Sequence, residues 1–135
     1  KLVAEKLNIN VTASFFDMRQ PDYDLKMPCG AGVFTFGALE QLAGDIDEIF
    51  KYFLNQPASI YVHIEPAVEL YETDILSDYL AAWFQTKRGY TAGVIGMLKK
   101  LEDQKLIEIV EIRRLGFGSL FMEGYNLMVW RKKVG

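Results

Sequence analysis

The sequence predicts an α/β fold built on parallel strands, and three observations predict it. Short β-branched and aromatic runs alternate with stretches of helical spacing along the chain. Two of those runs, GVFTF at Gly32 to Phe36 and SIYVHI at Ser59 to Ile64, are nearly continuous in apolar character, as strands covered on both faces are. Half of the 135 residues are hydrophobic and 24% are charged, which supplies a core and excludes wholesale disorder.

Taken in order, Lys1 to Leu7 reads as the last turns of a helix, with Leu2, Val3 and Leu7 on one side. Ile9 to Phe16 reads as a strand, because Ile9, Val11 and Thr12 are β-branched and two phenylalanines follow. Asp17 ends it, and a polar loop runs through Pro21, Asp22, Asp24 and Pro28 to the GVFTF strand. From Ala38 to Gly44 the spacing turns helical. A second helix over Ile46 to Leu54 carries Ile46, Ile49, Phe50 and Phe53 three and four apart. Asp45 is expected to cap it, with Glu48 completing a capping box. Pro57 stops that helix, and Pro66 stops the SIYVHI strand because proline brings no N–H to a ladder.

A long helical stretch follows. Ser77 is expected to cap its first part, where Leu80, Trp83 and Phe84 form an apolar stripe. Tyr79, Trp83 and Phe84 read as core rather than as a cofactor box. Gly89 breaks the stretch, and Thr91 to Gln104 places Val94, Met97, Leu98 and Leu101 on one face. Two strands close the chain, Ile107 to Ile112 and Tyr125 to Trp130. About a dozen residues with Gly116, Gly118 and Gly124 link them, a length at which loops are often functional.

Composition removes several function classes. Fifteen Lys and Arg against 18 Asp and Glu leave a net charge of −3, which argues against a general nucleic-acid binder. Arg131, Lys132 and Lys133 are too short a basic run to reverse that. One cysteine and one histidine fall short of a disulfide framework or the usual metal ligand sets. No apolar run approaches the roughly 20 residues of a membrane span, and no signal-peptide pattern opens the chain. A soluble, cytoplasmic protein is expected.

The element order, with its antiparallel pair at the end, resembles the C-terminal half of class I S-adenosylmethionine-dependent methyltransferases. The residues that carry the resemblance are Phe16-Asp17-Met18 after the first strand, Phe36-Gly37-Ala38-Leu39-Glu40-Gln41-Leu42 after the second, Ser59 to Glu65 as the next strand, and Ile107 to Trp130 as the terminal pair. Gln41 stands where the family commonly has a histidine. The resemblance implies a Rossmann-like sheet represented by its strands three to seven, the last running antiparallel between the fifth and the sixth. The glycine-rich loop after the family's first strand and the acidic residue after its second have no counterpart here. Residues 1–135 are therefore expected to be the C-terminal portion of a single methyltransferase-like domain. The partner that completes the sheet would be the N-terminal half of the same protein or a second chain.

The implied cofactor is S-adenosylmethionine. The resemblance puts Asp17 and Met18 at its adenine, with Thr35, Phe36 and Gly37 beside the methyl group. A turn aspartate and a core phenylalanine are the alternatives. His63 is the only histidine, so any histidine-based acid–base step depends on it. It alternates onto one face with Tyr61 and Glu65, where a base and its orienter could share a cleft; a structural strand histidine is the alternative. Glu69, Tyr71 and Glu72 would lie over the acceptor, or form a solvated acidic loop. Arg88 and Tyr90 at the helix break, and Arg113, Arg114, Glu123, Tyr125 and Asn126 around the final loop, make that loop a candidate lid, with arginines suited to phosphate or carboxylate groups. An ion pair of Arg114 with Glu123 is the structural alternative. The acceptor expected is a small molecule or saccharide, methylated on oxygen or nitrogen. A non-catalytic partner-binding module is the competing expectation.

Overall fold

A computed structural model describes residues 2–90, 92–119 and 122–133. Strand β1 (Gly32–Phe36) lies parallel to β2 (Ile60–Glu65), with Gly32 opposite Ile60 and Phe36 opposite Ile64. Strands β3 (Ile107–Ser119) and β4 (Met122–Lys132) form an antiparallel pair. β4 inserts between β2 and β3 and runs antiparallel to both, so the spatial order is β1-β2-β4-β3. Parallel strands need a crossover, and α2 (Asp47–Leu54) supplies it between β1 and β2. Helices α3 (Leu76–Arg88) and α4 (Val94–Asp103) lie between β2 and β3, and α1 (Leu2–Leu7) precedes the sheet. The expected α/β class holds, with a mixed four-stranded sheet.

Strand periodicity of two divides the sheet into unlike faces. Tyr61, His63 and Glu65 of β2 and Asn126, Met128 and Trp130 of β4 are all buried. Ile49, Phe50 and Phe53 of α2 and Val94, Ile95, Leu98 and Leu101 of α4 complete that core. The Tyr61 and Trp130 rings stack 3.9 Å apart at 4°. The Tyr61 hydroxyl donates to the Phe53 carbonyl at 2.6 Å, and burial pushes its phenol up to about 12. The opposite face stays open: Phe34 is 63% exposed, Phe36 and Ile60 are exposed, and Val62, Ile64, Leu127 and Val129 are half-buried.

Several expectations are corrected. Ile9 to Phe16 forms no strand; Phe15 is fully solvated and Phe16 leans on the Tyr52 ring at 5.0 Å. A strand needs a neighbour, and the outer edge of β1 has none among the described residues. Asp45 does not cap α2. The helix starts at Asp47 after left-handed Ala43 and Gly44, and Asp47 and Glu48 meet its positive end directly. Ser77 lies inside the first turn of α3 rather than at its cap.

Helix α3 is also rotated from expectation. Leu80 and Trp83 are exposed, as is Tyr79, and Phe84 is half-buried, while Asp78, Ala81 and Gln85 turn inward. Two polar attachments set that rotation. Asp78 receives both guanidinium nitrogens of Arg114 at 2.6 and 2.8 Å, and Gln85 donates to the Tyr71 hydroxyl at 2.9 Å. The long final loop is replaced by strand: β3 runs to Ser119 and β4 resumes at Met122. Its glycines serve irregularities in the ladder, where the register shifts around Phe117 and Gly116 takes φ +61°. The expected lid thus becomes hairpin, apart from Leu120 and Phe121, which lie outside the described residues.

Candidate functional site

β1 and β2 end at one edge of the sheet, and antiparallel β4 begins there, so three strands deliver side chains to the same place. In open α/β sheets ligands sit outside such carboxyl ends. The chain leaves β1 through Gly37, at φ +56°, whose N–H donates to the Ile64 carbonyl at 3.0 Å. A Cβ at 37 would meet the Tyr125 hydroxyl at 3.5 Å and a Glu40 oxygen at 3.6 Å, ordinary contact distances, so the positive φ rather than crowding favours glycine here. A short tight helical turn, Leu39–Leu42, follows. Its first N–H groups have no partner within the turn, and Glu65 supplies one. The buried carboxylate accepts from Ala38 N–H at 3.1 Å and from Glu40 N–H at 3.3 Å.

Asn126 stands directly across from Glu65 in the ladder. It donates to the Tyr71 hydroxyl at 3.4 Å, which also receives Gln85. The carbonyl oxygens of both amides have no hydrogen-bond partner among the described residues, although both side chains are buried. Buried acceptors of this kind are rare and costly. Glu40 receives the Gln41 amide at 2.9 Å. Burial raises its carboxyl from the ordinary value, the Gln41 bond opposes this, the charge of Glu65 adds to the rise, and the charge of Arg88 lowers it. Tyr125 stacks on Phe36 at 4.8 Å, and burial together with the nearby Glu40, Tyr90 and Glu65 raises its phenol.

His63 lies just behind this edge, but in the core. Trp130 Nε1–H donates to His63 Nε2 at 2.9 Å, so Nε2 must be the unprotonated nitrogen. The proton therefore sits on Nδ1, which donates to Thr35 Oγ1 at 2.8 Å. Both ring nitrogens are occupied, the ring is fully buried, and burial lowers its pKa to about 4. This corrects the expectation of a general base. At His63 the face shared with Tyr61 and Glu65 packs on Phe50 and Phe53 of α2 rather than lining a cleft.

The other expected site residues divide into two groups. Phe36, Gly37, Glu65, Tyr71 and Asn126 meet at the carboxyl edge, and Tyr90 is close enough to act on Tyr125. Thr35 is spent on His63. Asp17 is exposed in a turn, accepting from Arg19 N–H at 2.9 Å, while Met18 is half-buried against the core. The Arg19 guanidinium donates to the Gln41 carbonyl at 3.1 Å, which holds this turn beside the carboxyl edge. Glu69 accepts from Gly93 N–H at 2.7 Å, and the Arg88 guanidinium lies over the Phe84 and Tyr90 rings. Arg113 pairs with Glu111 and Arg114 with Asp78, while the side chain of Glu123, the alternative partner for Arg114, lies outside the described residues. Sequence reasoning missed Gln85. Its signal was a polar residue seven positions after Asp78 and four after Ala81, on one helical stripe.

At the other end of the strands a shallow depression is lined by Cys29, Ser59, Glu108, Arg131 and Lys132. Three of its charged groups are engaged: Arg131 holds Glu108 with two bonds, and Lys132 donates to the Leu54 and Gln56 carbonyls at the end of α2; Lys133 also lines it. Among the described residues no group of His, Cys, Asp and Glu is placed to hold a metal ion, and no helix is long and apolar enough to cross a membrane. Compared with protein-family models, curated proteins and solved structures, the chain matches none.

Proposed function

We propose that the chain is the acceptor-side half of an S-adenosylmethionine-dependent methyltransferase, acting on an oxygen or nitrogen of a small molecule or saccharide. The strand order carries this reading. Two parallel strands, then a final strand reversed and inserted before its predecessor, is the arrangement that the resemblance implies for strands four to seven. The polar cluster at the carboxyl ends of β1 and β2 supports it, because that is where such sheets take ligands. Fold alone does not specify chemistry, so the side chains must.

The residues present fit part of the cofactor. Gly37 brings no side chain between Tyr125 and Glu40, and the turn of Asp17 and Met18 is tied to the Gln41 carbonyl through Arg19. When bound, S-adenosylmethionine would supply a methyl group already activated on a sulfonium, so the protein has mainly to position the acceptor. Phe36 and Tyr125 would form one wall, and Asn126 and Tyr71 would orient polar groups of the acceptor. Glu40 takes the place first given to His63. Burial raises its pKa, which makes the ionised carboxylate a stronger proton acceptor than an exposed one. Glu65 fixes the turn that carries Glu40.

Calorimetric titration of S-adenosylhomocysteine tests this reading, made on the chain and on a version extended by whatever residues are encoded before Lys1. Binding to either form supports methyl transfer, and transfer of labelled methyl follows as the activity assay. Binding to neither sinks the reading. The second reading is a non-catalytic module whose open sheet face, with Phe34, Phe36 and Ile60 exposed, receives a partner. It is favoured if neither form binds S-adenosylhomocysteine.

A further inference from the structure

The polar groups at the carboxyl edge are predominantly acceptors. Asn126 and Gln85, 0% and 2% exposed, spend amide N–H groups on Tyr71 and leave Oδ1 and Oε1 without partners among the described residues. The Glu65 carboxylate stands across the strand pair from Asn126, and Glu40 is near enough to Glu65 for the two charges to interact. Tyr125 brings an aromatic ring to the same charges, with Tyr90 close to it. Such a set discriminates among ligands by donor count and by charge. A primary amine offers two or three N–H donors and, protonated, a positive charge that carboxylates and aromatic faces favour. A hydroxyl offers one donor and no charge. A carboxylate or phosphate offers few or no donors and would face two carboxylates, against which the charge of Arg88 also acts at Glu40.

We infer that the carboxyl edge of β1 and β2 binds a primary amine, with Asn126 Oδ1 and Gln85 Oε1 accepting its N–H groups and Glu40 and Glu65 balancing its charge. The inference rests on the methyl-transfer reading for the use made of the amine, and narrows the acceptor from oxygen or nitrogen to nitrogen. Glu40 is the group that takes the ammonium proton: an N–H bond breaks, an O–H bond forms, and the nitrogen lone pair is freed.

Benzylamine, benzyl alcohol and benzoate share a ring and differ in donors and charge, so they serve as probes. Each is titrated into isotope-labelled chain without S-adenosylhomocysteine, following the side-chain amide signals of Asn126 and Gln85 by nuclear magnetic resonance. Benzylamine is expected to move both signals saturably and to bind at least about tenfold more tightly than benzyl alcohol, with benzoate inert. Equal binding of amine and alcohol, a response to benzoate, or no saturable response to benzylamine overturns the inference; in the last case the two oxygens are merely hydrated. Gln85→Met keeps side-chain length on α3 and is expected to weaken benzylamine by about fivefold or more. Unchanged affinity in a folded variant also overturns it, and the wild-type titrations decide if the variant does not fold. Amine selectivity without S-adenosylhomocysteine binding would remove the methyl-transfer reading alone, and the converse would remove this inference alone.

Discussion

Trp130 donates to one nitrogen of His63 and Thr35 receives from the other, so the imidazole is held neutral in a sealed core. The consequence is a pH dependence with a definite sign. The folded pKa of about 4 lies below the ordinary 6.5, so the unfolded chain binds the proton more readily. The stabilising contribution is complete above 6.5, falls as pH drops, and is exhausted below about 4. The gap corresponds to roughly 3 kcal/mol. Urea unfolding at pH 7.5, 5.5 and 4.5 should show that loss, and His63→Gln should show a flatter profile. A wild-type stability unchanged from 7.5 to 4.5 would contradict the assigned tautomer and burial. The histidine was visible in the sequence, as was its alternation with Tyr61 and Glu65. Its inward direction was not, because alternation groups residues by face without saying which face is covered.

Gly89 ends α3 with φ +68°, and the next residues close the helix in a paired turn: Gly89 N–H donates to Thr86 and Tyr90 N–H to Gln85, each at 3.1 Å. That turn also sets Tyr90 beside the site. Gly89→Ala is expected to cost about 1 kcal/mol, because the left-handed conformation crowds a Cβ even though the surrounding space is empty. A melt within error of wild type would contradict this. The same helix is tied to β3 by Arg114. Its guanidinium, then the Glu72 N–H, hold the Asp78 carboxyl below the ordinary 3.8. A depressed carboxylate stabilises above its unfolded pKa and loses the contribution as pH falls through its folded value. Arg114→Met should therefore be less stable than wild type at pH 7, with the difference shrinking below about 3.8. Parallel unfolding curves across that range check it. Helix positions were legible because apolar residues of α2 and α4 recur three and four apart. The rotation of α3 was not, because its Asp78 and Gln85 point inward only to meet Arg114 and Tyr71, which lie far away in sequence.

The whole molecule has one covered sheet face and one open face, and its β1 edge is unpaired among the described residues. Exposed apolar edges and faces invite association. The chain is expected to self-associate with concentration, and Phe34→Lys should reduce this while changing unfolding free energy by no more than about 0.5 kcal/mol, since Phe34 packs little. Sedimentation velocity over a concentration series tests it; a wild-type monomer at every concentration would contradict it. The same surface explains the failure of Ile9 to Phe16 as a strand. β-branched composition supplies a strand former, but hydrogen-bond partners for its backbone must come from a neighbour.

Residue pattern alone settled the α/β class, the breaks at Pro57, Pro66 and Gly89, and the grouping of Tyr61, His63 and Glu65. Each follows from local rules: periodicity, missing N–H groups and allowed backbone angles. Packing alone settled that this face is the inner one, that β4 lies between β2 and β3, and that Glu40, Glu65, Gln85 and Asn126 gather at one edge. Those residues come from a turn, two strands and a helix far apart in the chain. Their convergence depends on strand order and helix rotation, which no local pattern encodes.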